Sequence, residues 1–277
     1  MAPESTSRYV DVDGARLAVT DVGEGLALVA LPAGVADRRV WRQAIGAWTA
    51  DGWRVVAHDR RGFGESTWEP APTEQPFSHV DDLVAVMDAV GVDRAVLVGN
   101  SQGGRIAVDT ALAHPGRVTA LVLIAPAVTG MPFDLDDLHP DELALEEAIE
   151  AAEEAGDLDA VNRLEAHLWL DGPREVEGRV AGAARDLFED MNGRSLTAPP
   201  VGELRWGPSA WDRLDQIAVP TLVVVGELDE WPHVFAGLAE RIPGAQLVTM
   251  PGSAHLPMLD DPEAFLDAVA PFLSDQR

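Results

Sequence analysis

The stretch Val96-Leu97-Val98-Gly99-Asn100-Ser101-Gln102-Gly103-Gly104 decides how this chain is read. It begins as a short apolar, β-branched run, the pattern of a buried strand. It then passes through Gly-Asn-Ser-Gln-Gly into residues 105–114, which are rich in alanine and spaced as a helix. Strand, sharp turn and helix form the setting that lifts a serine out of the chain as a nucleophile. Such a turn forces Ser101 into a strained backbone conformation with its hydroxyl raised. Gly99 and Gly103 flank it because a side chain at either place would strike the neighbouring strand or helix. The N–H of Gln102, at the start of the helix, is then free to face a developing negative charge. The same five-residue pattern also occurs in ordinary loops, so the weight falls on the rest of the chain.

On the N-terminal side, residues 8–12 and 15–21 alternate apolar and polar positions around Asp13-Gly14, a hairpin signal. The continuous apolar run 26–31 reads as a central strand ending in Pro32-Ala33-Gly34-Val35. A helix is expected over 41–50. A strand over 54–57 then runs into His58-Asp59-Arg60-Arg61-Gly62-Phe63-Gly64-Glu65-Ser66. After a proline-rich loop at 70–76, a helix is expected over 79–90, with Gly91 as its stop. A buried strand follows over 118–124. This alternation predicts an α/β fold, a parallel sheet with helices on both faces.

The alternation breaks after Ala127. From about 130 to 212 the chain is acidic and helical, with helices expected over 141–155, 157–170 and 174–192. The organisation expected is a core made of 1–129 and 213–277, with 130–212 inserted as a helical cap. Alternation resumes with a strand over 220–225 ending in Gly226-Glu227-Leu228-Asp229. A helix over 233–242, a strand over 245–250 ending in Pro251-Gly252-Ser253-Ala254-His255, and a helix over 262–273 complete it.

Ser101, Asp229 and His255 thus fall at the C-terminal ends of three expected parallel strands, the edge where open α/β sheets bind ligands. Ser101 alone is a poor nucleophile at neutral pH. His255 can take its proton and return it to the leaving group, and Asp229 can hold the imidazole in the needed tautomer. Glu227 and Glu230 are alternative acids, and His58 is a rival histidine because it also ends a strand. A second oxyanion donor is expected from the loop after the 26–31 strand, with the N–H of Gly34 first and that of Val35 as the near alternative. Val35, Trp169 and Leu256 are candidate pocket walls by position.

Gly99-Asn100-Ser101-Gln102-Gly103-Gly104, Asp59-Arg60-Arg61-Gly62-Phe63-Gly64-Glu65-Ser66, Gly226-Glu227-Leu228-Asp229 and Gly252-Ser253-Ala254-His255 together resemble the α/β-hydrolase superfamily over nearly the whole chain. The resemblance implies an eight-stranded, mostly parallel sheet with a helical cap after the sixth strand. One departure is Pro32-Ala33, where members usually carry His-Gly before the oxyanion residue. Members that are dehalogenases or epoxide hydrolases use an aspartate as nucleophile, and dienelactone hydrolases a cysteine. Ser101 points instead to cleavage of a carboxylic ester or lactone through an acyl-enzyme, with no cofactor. Two further chemistries stay open: hydrolysis of a C–C bond in ring-fission diketones, for which Arg163, Arg174, Arg179 or Arg185 would bind an acidic substrate, and a cofactor-free perhydrolase. A ligand-binding receptor on the same scaffold is the non-enzyme alternative.

Composition narrows the partners. The 277 residues contain no cysteine, and the seven histidines show no metal-ligand spacing. The run 1–9 is polar and without the apolar stretch of a signal peptide, and no run has the length of a membrane span, so the expected location is cytoplasmic. The formal net charge is −27 and every basic residue is arginine. Such a surface repels nucleic acid and anionic membranes; the partner expected is the small-molecule ester or lactone substrate that the resemblance implies. The oligomeric state is not encoded in any pattern here. Arginine without lysine fits a high-GC genome, with salt adaptation as the alternative reading. If carboxylate self-repulsion is substantial, the melting temperature rises between low salt and about 0.5 M salt, where screening is strong; a flat thermal-denaturation series rules that out.

Overall fold

The computed structural model describes residues 8–132, 138–205, 207–230 and 232–277. The polar run 1–7, on which the N-terminal expectation mostly rests, lies outside the described residues. The strands are β1 (Arg8–Val12), β2 (Ala15–Val22), β3 (Ala27–Leu31), β4 (Arg54–His58), β5 (Thr67–Trp68), β6 (Ala95–Asn100), β7 (Val118–Ile124), β8 (Thr221–Gly226) and β9 (Gln246–Met250). The helices are α1 (Arg42–Ala50), α2 (His79–Val90), α3 (Gln102–Ala113), α4 (Pro140–Ala155), α5 (Leu158–Ala166), α6 (Ala183–Leu196), α7 (Pro232–Arg241), α8 (Pro257–Asp260) and α9 (Pro262–Ser274). Among the described residues, no helix is long and apolar enough to cross a membrane.

The sheet runs β1-β2-β4-β3-β6-β7-β8-β9. The hairpin β1–β2 is antiparallel and joins β4 antiparallel, while β4, β3, β6, β7, β8 and β9 pair in parallel. The eight strands implied by resemblance are this path. A ninth, the two-residue β5, pairs with the edge of β2.

Period-two alternation explains why the apolar strands are central. On β6, Ala95 and Leu97 join one core while Val96 and Val98 join the other. On β8, Val223 and Val225 face the first and Leu222 and Val224 the second. A sheet buried on both faces needs such continuous apolar runs. Helices α2, α3 and α7 cover the first face; α1, α8 and α9 cover the second. On the second face Trp41, Trp48 and Phe265 pack with ring centroids 5.9–6.4 Å apart, each such pair being worth about 1 kcal/mol beyond its buried area.

The chain between β7 and β8 is helical, as expected; the first helix, expected over 141–155, is Pro140–Ala155, but the other two depart from their expected spans. The third helix, expected over 174–192, is Ala183–Leu196. Residues before it form turns instead, because Gly178 and Gly182 adopt positive φ of 85° and 67°, and the buried Asp171 carboxylate draws in the N–H groups of Gly178 and Val180 at 2.8 Å. A side-chain acceptor that takes backbone donors competes with helix formation. The second helix, expected over 157–170, ends at Ala166 and passes into a π-turn over His167–Asp171. Leu145, Ile149, Val161 and Leu168 make a small core there, while Ala166, Leu170, Phe188 and Met191 belong to the core on the sheet's second face.

A close backbone approach marks the start of α3. A Cβ on Gly103 would lie 2.1 Å from the carbonyl oxygen of Leu31, whereas one on Gly116 would meet nothing within 4 Å. Gly103→Ala is therefore expected to destabilise the protein by about 1–3 kcal/mol, the usual range for overpacking, and Gly116→Ala by less than about 0.5 kcal/mol. Chemical denaturation of the two variants measures the difference.

Candidate active site

The turn between β6 and α3 holds Ser101 at φ 52°, ψ −114°. A non-glycine residue there carries strain of about 1–3 kcal/mol. Its backbone is held on both sides. Its N–H donates to the carbonyl of Ile124 at 2.8 Å, and its carbonyl accepts from Arg105 and Ala127, each at 3.0 Å. Ala125, at the end of β7, is the other non-glycine residue at positive φ among those described, with φ 39°. The two strained positions adjoin because β6 and β7 end together.

Asn100, which sequence reasoning passed over as a functional residue, ties this turn to the histidine. Its side chain is fully buried, and Nδ2 donates to Ile124 O at 3.1 Å and to His255 O at 3.0 Å. The available signal was a polar residue closing an otherwise apolar central strand. The His255 backbone is held on its other side too: its N–H donates to Trp169 O at 3.2 Å. The Trp169 ring packs on the imidazole with centroids 4.7 Å apart. Thus the π-turn after α5 places one backbone carbonyl and one ring against His255, a use of irregular helix often found at functional positions.

His255 Nδ1 lies 3.0 Å from both Asp229 oxygens. A bare ring nitrogen there would face carboxylate lone pairs, so Nδ1 carries the proton and Nε2 is left as the basic atom. Asp229 is 2% exposed and His255 6%. Asp229 Oδ1 also accepts the N–H of Glu230 at 2.8 Å. Of the three acids considered, the structure brings Asp229 to the histidine. Glu227 is exposed and takes the N–H of Gly252 at 3.1 Å. His58 is buried at the end of β4, where burial first and Arg60 second push its pKa down to about 4.

Gly34 lies beside Gln102: a Cβ built on it would stand 3.2 Å from Gln102 Oε1. The loop after β3 and the first turn of α3 therefore border one another, as two donors to one oxyanion must. Val35 and Trp169 are partly buried against the core of the sheet's second face, and Leu256 is wholly inside it. The four arginines considered for an acidic substrate each have an anionic partner: Arg163 with Glu177 at 2.7 Å, Arg174 with Glu142 at 3.3 Å, Arg179 with Asp260 at 2.8 Å, and Arg185 with Asp171. Among the described residues, no group of three or more His, Asp or Glu side chains converges as metal ligands.

The chain as a whole has known counterparts. A family model described as the alpha/beta hydrolase fold matches residues 27–262. The 2-hydroxy-6-oxo-6-phenylhexa-2,4-dienoate hydrolase of Burkholderia cepacia is 28% identical, with 99% of each chain covered. A solved N-acyl homoserine lactone degrading enzyme is 29% identical at a TM-score of 0.74, covering 96% of this chain and 100% of its own. A solved esterase from Rhodococcus sp. ECU1013 is 26% identical at a TM-score of 0.75, covering 98% and 99%.

Beside the triad-like cluster sits one carboxyl group with an unusual setting. Glu230 is 4% exposed, and among the described residues no N–H donor reaches its carboxyl oxygens. Burial first, then the carboxylates of Glu146, Asp229 and Glu142, push its pKa from 4.5 up to about 9. It faces Glu146 of α4, itself pushed up by burial, so a proton is held between the two carboxyl groups. Between pH 4.5 and about 9 the folded protein keeps a proton that the unfolded chain releases, and stability falls as pH rises through that window. Glu230→Gln needs no proton. Its melting temperature is expected to match wild type below about pH 4.5 and to exceed it by a growing margin up to about pH 9, read by thermal denaturation across pH.

Proposed function

The chain belongs to the α/β-hydrolase fold family, and on that premise we propose that it is a serine hydrolase cleaving a small carboxylic ester or lactone. The observation that carries this reading is His255 Nδ1 at 3.0 Å from both oxygens of a buried Asp229, with its backbone tied through Asn100 to the strained turn that presents Ser101. Ser101 Oγ attacks the acyl carbon while His255 Nε2 takes its proton. The carbonyl electron pair moves onto oxygen, where the N–H groups of Gly34 and Gln102 receive it. Collapse expels the alkoxide, which takes the proton from His255. Water then repeats the sequence on the acyl-enzyme, with His255 as base, and releases the acid and Ser101. For a lactone the alcohol and acid remain one molecule.

Residues 130–212 are read as a cap over a core of 1–129 and 213–277. The contact of Trp169 with His255 supports this, since the cap then forms one wall of the pocket. Val35 and Leu256 are further wall candidates. The similarity to a lactone-degrading enzyme and to an esterase supports the substrate class. The full-length similarity to a hydrolase of a dienoate favours C–C bond hydrolysis as the second reading. Against it stand the four arginines available for an acidic substrate, each already paired with a carboxylate.

Wild type is expected to hydrolyse p-nitrophenyl butyrate and simple lactones and to be labelled by a fluorophosphonate. Ser101→Ala is expected to lose labelling and at least about 10⁴-fold in kcat, the usual scale for a lost nucleophile. Equal turnover by the two proteins across esters, lactones and ring-fission diketones sinks the proposal; turnover confined to the diketones selects the second reading.

A further inference from the structure

We propose, resting on the serine-hydrolase reading above, that Arg60 is a positioning residue: by holding the Ala33 carbonyl it aims the Gly34 N–H at the oxyanion and strengthens it as a donor.

Arg60 stands two residues past β4, in the turn beside the loop after β3. Its Nη2 donates to Ala33 O at 2.6 Å, a length typical of a charge-assisted bond. Ala33 C=O and Gly34 N–H are the two ends of one peptide plane. No described peptide is cis, so the two groups point in opposite directions. Fixing the carbonyl on Arg60 therefore fixes the direction of the Gly34 N–H. In a buried setting the bond also polarises the amide, which makes its N–H a better donor. The loop has little else to hold it this way. Pro32 has no N–H, neither Pro32 nor Ala33 has a polar side chain, and the Ala36 N–H reaches the same carbonyl at a longer 3.2 Å.

Stability alone does not account for Arg60. It is 2% exposed, and its Nε and Nη1 have no hydrogen-bond partner among the described residues. Its guanidinium lies 4.3 Å over the Phe63 ring. Asp59 is the carboxylate whose charge reaches it, but the Asp59 oxygens are taken by the side chain and N–H of Arg38 and the N–H of Glu65. His58 and His79 feel Arg60 as a cation that opposes their own protonation. They bring no negative charge to it. A buried cation without its own carboxylate is a poor device for stability, and an apolar side chain of the same shape is usually no worse. Local rules broken in this way are expected next to functional positions. The sequence hid this because Arg60 lies in the turn after β4, far from Gly34 in sequence, and only the sheet order β4-β3 brings that turn against the oxyanion loop.

The test compares wild type, Arg60→Met, Arg60→Gln, Arg60→Lys and Ser101→Ala as full chains on p-nitrophenyl butyrate. Losing one oxyanion donor costs about 10²–10³ in kcat, so a donor left in place but misaimed and unpolarised is expected to cost Arg60→Met about 10-fold in kcat, with KM within about twofold. Arg60→Lys, which can still donate to Ala33 O, is expected to recover most of that loss. Affinity for a trifluoromethyl ketone is a second readout. Ser101 Oγ adds to its carbonyl carbon, the carbonyl pair becomes an oxyanion and the serine proton passes to His255. Its affinity is expected to fall in step with kcat across the series, while a merely structural role moves Tm and leaves that correlation absent. Should Arg60→Met fail to fold, Arg60→Gln replaces it, with kcat expected below that of Arg60→Lys. Wild-type kcat in the neutral variants, or no recovery in Arg60→Lys, overturns the role of Arg60 while Ser101→Ala remains inactive. An active Ser101→Ala instead overturns the serine-hydrolase reading, and the Arg60 role with it.

Discussion

One side-chain amide joins the parts of the active edge. Asn100 Nδ2 stands between the carbonyls of Ile124 and His255, so the end of β6, the end of β7 and the loop after β9 share a single buried donor. An unfilled carbonyl in such a place costs about 1–3 kcal/mol; Asn100 fills that of His255 and shares that of Ile124 with the N–H of Ser101. The bond makes the position of the His255 backbone a function of where the nucleophile turn sits. The strain at Ser101 is tolerated for a related reason. Its N–H and carbonyl are both engaged by neighbouring strands and helix, so relaxing the backbone would break several bonds to relieve one bad torsion.

Among the described residues, buried charge follows a similar logic, with two exceptions. Arg61 and Asp82 form a paired fork at 2.9 Å, Asp59 is saturated by Arg38 and backbone donors, and Asp171 organises the turns before α6 together with Arg185. These pairs replace lost water contacts with matched ones. Arg60 and Glu230 have no such match. Both adjoin the edge where Ser101, Asp229 and His255 gather, one through the Ala33 carbonyl and the other as the neighbour of Asp229. Elsewhere the large negative charge of the chain is carried by exposed carboxylates, which solvent screens.

The helical segment between β7 and β8 was the least legible part. Its amphipathic spacing announced helices, but spacing does not reveal a competitor for backbone donors. Asp171 is that competitor, and two glycines allow the chain to turn around it, so the helix expected from 174 begins at Ala183. On α2 helical spacing puts Val80, Leu83, Val84, Met87 and Val90 on one face, yet Val86 is buried beside Leu83, Met87 and Val90 while Val80 and Val84 are only partly buried. A periodic pattern with apolar residues on more than one side leaves the rotation of a helix to whatever it packs on. Asn100 and Arg60 escaped notice because each acts through a backbone carbonyl on a segment far away in sequence.

What the sequence by itself determined was the sheet and the polar residues at its edge. β-branched runs without polar interruption can be buried only as central strands, and a chain that alternates them with helices places the strand ends, with Ser101, Asp229 and His255, along one side. Only the tertiary structure decided which acid faces the histidine, what holds the imidazole, and how the loop of Gly34 is anchored. Those outcomes depend on which strands become neighbours and on the direction of individual carbonyls, and a carbonyl has the same appearance in every residue of a sequence.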